Sequence, residues 1–351
     1  RSLAPGSQGG LLSSRLPIGA GTGLACRGAD GGENRLVVRY LENASRSPSF
    51  PGVPPILEPI LARVHEYGYQ AHELAAEFRN LPPEMLGHVK LACGSMMVNI
   101  YARQLRAGAG EMLLRWNLSR FNSAHLPSAE ASLAEAANLG RMEEEARGAG
   151  ILLRTWDPNT QRTLELSFGP KFSAMAGIEA EELLGMISRN EVPLPWTQMD
   201  HIMILLDHMY NLSEESVVHC YRWAWPGRPP VLVQRTTVKR SDQVGRRWQE
   251  CMYNREISVA EFDALTSTPG PIRDGVMQGL RVGMGDTRPG AQYLADFERD
   301  RAMTIEVMRN HPEGRAKLDR LSQAILQLFA PAAATARSRY SLVASIMERL
   351  L

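Results

Sequence analysis

The spacing of apolar residues changes twice along this chain, and the positions of those changes limit its fold more than any single motif does. From Ile56 to Tyr101 apolar residues recur every three or four positions, the period of a helix. From Ser258 onward that period returns. Between Gly150 and Ser258 the spacing is that of strands. Ile151 to Trp156 is apolar and partly β-branched and stops at Asp157-Pro158-Asn159, while Thr163 to Phe168 alternates and stops at Gly169-Pro170. Two such runs joined by a turn predict a β-hairpin. Short helical pieces follow at Lys171 to Ala176 and Glu179 to Leu184, and Thr197-Gln198-Met199-Asp200 opens a longer helix as a capping-box-like start. Three strands then follow, Val217 to Trp225, Val231 to Lys239 and Arg246 to Ile257, joined by turns at Pro226 to Pro230 and Ser241 to Gly245. The pattern predicts an α+β fold: a five-stranded antiparallel sheet with short helices, flanked by N- and C-terminal helical segments.

The flanks divide by composition. Residues 1–52 read as a disordered arm rich in Gly, Ser and Pro, and the start at Arg1 suggests a fragment or processed product. Residues 53–126 form a helical hairpin region, in which one helix runs through Phe78 to near Asn80 and Leu81-Pro82-Pro83-Glu84 restarts a second. Residues 127–148 read as a connector helix capped at Ser128, and 149–258 as the sheet unit. The C-terminal helical region, 259–351, starts at the capping box Ser258-Val259-Ala260-Glu261. It continues through a loop from Thr266 to Gly290 to helices near 291–310, 313–329 and 338–350.

Composition narrows the function. Apolar residues make up 44% of the chain and charged ones 22%, which supports a folded core. The 39 basic and 38 acidic residues leave a net charge of +1, so no overall field recruits nucleic acid or anionic lipid. Cys26, Cys93, Cys220 and Cys251 form no C-x-x-C, which argues against a zinc site or disulfide framework and for a reducing compartment, cytoplasmic or nuclear. No apolar run is long enough to span a bilayer as a helix. The chain also lacks a Gly-x-Ser-x-Gly, a His-Glu-x-x-His and a Walker loop, so a non-enzymatic role is expected.

One phrase adds to this. Phe168-Gly-Pro-Lys-Phe172-Ser-Ala-Met-Ala-Gly177-Ile-Glu-Ala-Glu-Glu182-Leu-Leu-Gly185 resembles the stretch from the second strand into the first helices of PAS domains, with Ile178 where the family has an aromatic. The order strand, strand, helices, three strands is similar to that family too. The resemblance implies a sheet cupped by helices that buries a small ligand or nothing, dimerises through the sheet or a flanking helix, and acts in transcriptional regulation or signalling. A protein-interaction scaffold without ligand is the alternative, and a small-molecule enzyme a lesser one. No cysteine stands in Gly185-Met-Ile-Ser-Arg-Asn190, against cysteinyl-flavin photochemistry. Heme is a minor alternative, with His201 and His208, seven apart on one helix face, as its candidate ligands. No metal site is expected. Alternation places His219, Tyr221, Trp223 and Trp225 on one face of the first strand after the helix, and Cys220, Arg222 and Ala224 on the other. The aromatic face, with Met203 and Phe172, reads as a packed core or dimer face, or as the wall of a ligand cavity. A homo- or heterodimer through the sheet unit or flanking helices is expected, with no nucleic-acid motif in this chain.

Overall fold

In the computed structural model, residues 24–27, 35–40, 49–106, 148–156, 163–211, 214–241 and 247–329 are described. The strand-spaced region forms five antiparallel strands: β3 Gly150–Trp156, β4 Thr163–Phe168, β5 Ser216–Trp223, β6 Val231–Ser241 and β7 Arg247–Ile257. β3 and β4 pair as the expected hairpin, and β5, β6 and β7 form a meander. The sheet closes when β7 pairs with β3 from Gly150↔Asn254 to Thr155↔Gln249, giving the order β4-β3-β7-β6-β5. Two further strands, β1 Leu24–Arg27 and β2 Arg35–Tyr40, extend the sheet beyond β4. They come from the stretch expected to be a structureless arm, where four to six residues carry too little periodicity to read as strands.

Between the hairpin and the meander lie α4 Pro170–Ala176, α5 Ala180–Arg189 and α6 Gln198–Tyr210. Gly177 leaves α4 in the left-handed region at φ 68°, and Glu181 and Glu182 sit in the first turn of α5, as the sequence implies. Thr197 caps α6 by accepting the Asp200 amide at 3.2 Å.

The N-terminal helices close on the same sheet face. The single helix expected up to Asn80 is divided instead into a 3-10 turn at Pro55–Leu57, α1 Glu58–Glu66 and α2 Ala71–Arg79. The break centres on Gly68, whose φ is 85° and where a Cβ would stand 2.5 Å from the Cα of Ile187. Only glycine fits there, and the reversal lets Tyr69 bridge to Val192. α3, Pro83–Arg106, packs against α6, with the Cys93 thiol 3.2 Å from the sulfur of Met209. Arg154 of β3 pairs with Glu66 at 2.5 Å, and Tyr67 donates to Glu250 of β7 at 2.8 Å, which fastens the end of α1 to the sheet.

The other face of β5 and β6 is covered by the C-terminal unit. Its elements are α7 Val259–Ser267, α8 Val276–Gly283, α9 Gly290–Ala295, α10 Phe297–Ala302, α11 Ile305–Asn310 and α12 over 312–329. Ser258 caps α7 as predicted, accepting the Glu261 amide at 3.1 Å. α8 lies where a loop is expected. Its glycines permit close packing on α12, since a Cβ at Gly283 would meet that of Ala324 at 2.6 Å. The expected connector helix (127–148, of which only Gly148 is described) and the helix at 338–350 fall outside the described residues.

Candidate functional site

Strand alternation separates Tyr221 and Trp223 from Cys220 on β5, as expected, while His219 does not join the aromatic face. Tyr221 and Trp223 join the large core on the inner face, while Cys220 packs outward with Leu232, Ile257, Phe262 and Tyr293. Trp225 lies just past the strand end and still reaches the inner core.

On the inner face the rings form one continuous row. Ring centroids lie 6.1 Å apart for Tyr221 and Trp223 and 5.8 Å for Trp223 and Trp225. Phe172 stands nearly perpendicular to both tryptophans at 6.4 Å and touches Phe168 at 6.0 Å. At the other end Trp196 contacts Tyr221 at 6.1 Å, His201 at 5.0 Å and Tyr69 at 5.6 Å. The edge-on geometry suits the ring quadrupoles. Arg235 of β6 lies 5.2 Å from the Tyr221 centroid and 6.0 Å from that of Trp196. Burial pushes the Tyr221 phenol above its ordinary pKa, with Arg235 opposing, and Tyr69 is raised in the same way. Met203 and Met252 are buried in the same core.

The row is not satisfied as a polar structure. The indole N–H groups of Trp196, Trp223 and Trp225 and both ring nitrogens of His201 meet no hydrogen-bond partner among the described residues. His201 is buried, and its Nδ1 lies 3.4 Å from Glu77 Oε2 of α2, outside good hydrogen-bond alignment. A buried donor without an acceptor costs about 1 to 3 kcal/mol, so several on one surface demand an explanation.

The remaining predicted residues part company. His219 does not join the row; its Nδ1 pairs with Asp207 of α6, whose other oxygen accepts the Met277 amide at 3.2 Å. These residues border a cavity of about 10 Å³, room for one water molecule. His208 is half-buried on α6, seven residues beyond His201. Trp196, Tyr69, Phe168 and Glu77 were absent from the sequence-based set.

On the outer face a second cluster locks the C-terminal unit in place. Arg222, fully buried, donates to Asp200 at 3.1 Å, to Asp300 at 2.6 Å and to the Tyr293 carbonyl. Its guanidinium lies 4.0 Å and that of Arg281 3.9 Å from the Tyr293 ring centroid, and Tyr293 donates to Asp200 at 3.1 Å. Arg288 binds Asp286, Asp296 and Asp300 within 2.9 Å. Burial opposes the charge on Asp286, but the Arg288 hydrogen bonds and the charges of Arg281 and Arg288 outweigh it and hold its pKa below the ordinary value. Asp296 is also held low, chiefly by its bond to Arg288. This network joins β5, α6, α8, α9 and α10, and apart from Arg281 Nε, which lies 3.7 Å from Asp286, its charged groups are hydrogen-bonded, which marks it as structural.

Burial raises the thiols of Cys93 and Cys220 to about 12, which removes both as thiolate nucleophiles near neutral pH. Among the described residues no group of three or more His, Cys, Asp or Glu is placed to hold a metal ion, and no helix is long and apolar enough to cross a membrane. Compared with protein-family models, with curated proteins and with solved structures, the chain matches none.

Proposed function

We propose that residues 149–258 form a PAS-type sensory and dimerisation module of a regulatory protein, acting without catalysis in transcriptional regulation or signalling in the cytoplasm or nucleus. The observation that carries this reading is the buried aromatic row with unpartnered donors. It lies on the one sheet face cupped by α4 and α6, where a sensory domain would hold a small molecule. The order of strands and helices along the chain supports it, as do the left-handed exit at Gly177 and the acidic first turn of α5. The raised thiol pKa values support the non-catalytic part. Because the C-terminal unit covers the outer face at Cys220, Leu232 and Ile257, the partner surface in this proposal lies on the flanking helices.

A scaffold without ligand is the second reading, favoured by the direct ring-on-ring packing of Tyr221, Trp223, Trp225 and Phe172. Native mass spectrometry of the purified chain, with a denatured control and an absorption spectrum, separates the two. A co-purifying mass, or a visible band, establishes the sensor; a heme spectrum would direct attention to His201. A ligand-free dimer favours the scaffold, and a ligand-free monomer counts against both.

A further inference from the structure

We infer that an exposed apolar face shared by α6, α8 and α12 is the docking site of this chain's own segment 338–350, whether or not the sheet unit binds a ligand. Among the described residues four large hydrophobic side chains stand well out in solvent: Tyr210 at 43%, Val282 at 53%, Val307 at 45% and Leu328 at 42%. Single exposed hydrophobics are ordinary, and Val307 on α11 is read that way. The other three adjoin. Tyr210, at the end of α6, packs on Phe329 of α12 with ring centroids 6.2 Å apart. Leu328, the residue before Phe329, lies over Gly279 of α8, where a Cβ would stand 3.3 Å from its side chain. Val282 follows Gly279 by three positions, one turn along the same helix. A contiguous apolar face of this kind marks an interaction surface.

Continuity of the chain names the occupant. α12 brings Phe329 into this face, and the eight residues Ala330 to Arg337 follow it, with Pro331 placed to end the helix. The segment 338–350, outside the described residues, carries Tyr340, Val343, Met347 and Leu350 at spacings of three and four, with Ile346 beside them. Ser341, Ser345 and Glu348 fall on the opposite side of the same helical wheel. So short a helix is marginal in water unless its apolar stripe is buried. Eight extended residues reach about 26 to 29 Å, and a helix of this length is about 20 Å long, so the segment can lie back along α12. The short tether holds it near the face at an effective concentration on the order of millimolar, which favours it over a second copy of the protein.

The test uses the full chain with Val343 replaced by the photoreactive residue benzoylphenylalanine, in an equal mixture of light and isotopically heavy protein. Irradiation should link position 343 to peptides that carry Tyr210, Val282 or Leu328, with both parts of each link from the same isotope. Leu328→Glu, at an exposed position, should lower that yield about tenfold or more, because docking would bury an unpaired carboxylate against the stripe. Ser341→Gln with Ser345→Gln, on the polar side, should leave it unchanged. Links of mixed isotope would show that a second copy occupies the face, and links elsewhere, or none, that the segment does not dock there. Either result overturns the inference, as does an undiminished yield with Leu328→Glu.

Discussion

At the scale of single residues, the most consequential side chain is Arg222, because three partners from three elements depend on its charge. Arg222→Met should destabilise the protein by about 3 to 5 kcal/mol in urea unfolding, since Asp200 loses its cation inside the fold and Asp300 is left with Arg288. The exposed pair Arg189–Glu191 is the control, and Arg189→Met should change stability by less than about 1 kcal/mol. Residue roles fixed by near neighbours were legible in the sequence. The caps at Thr197 and Ser258 need only a hydroxyl and an amide three positions on. Roles fixed by distant partners were not. Nothing in the spacing joins Asp207 to His219 or Glu77 to His201. Trp196 escaped for a different reason: it lies in an irregular stretch, where no period assigns a side chain to a face.

At the scale of elements, the five strands between Gly150 and Ile257 were easier to read than the helices, whereas β1 and β2 escaped. β3 and β4 match their sequence bounds within a residue and the three meander strands within two, because turn residues mark their ends. The helices depart where glycine serves tertiary packing. Gly68 divides an otherwise continuous apolar stripe, and Gly279 and Gly283, which read as loop residues, lie inside α8 against α12. Gly68→Ala should therefore cost about 1 to 3 kcal/mol by thermal or urea unfolding, from a disfavoured φ and a clash with the backbone of Ile187. Gly283→Ala tests the helix pair. It improves helix propensity by up to about 1 kcal/mol, yet crowds Ala324. The expected result is a net loss of stability; a gain would show that α12 shifts freely.

At the scale of the whole molecule, the outer ionic cluster predicts how the parts respond to acid. Asp286 and Asp296 have folded pKa values below their unfolded ones, so their contribution is complete above the unfolded aspartate value, about 4. It is lost as the pH falls through the lower folded values. Hydrogen exchange followed from pH 6 to pH 3 should show residues 276–302 losing protection before β3 and β7, and Asp286→Asn should weaken that pH dependence. Simultaneous loss everywhere would show that the cluster does not set the acid limit. The pairing of β3 with β7 bears on synthesis as well. Gly150 leaves the ribosome about a hundred residues ahead of its partner Asn254, an interval of roughly 5 to 20 s at ordinary elongation rates. During that interval the edge of β3 from Gly150 to Thr155 lacks the strand it pairs with in the fold. The nascent chain is then a substrate for holding chaperones, and slowing translation just before Arg247 should lower the yield of soluble protein.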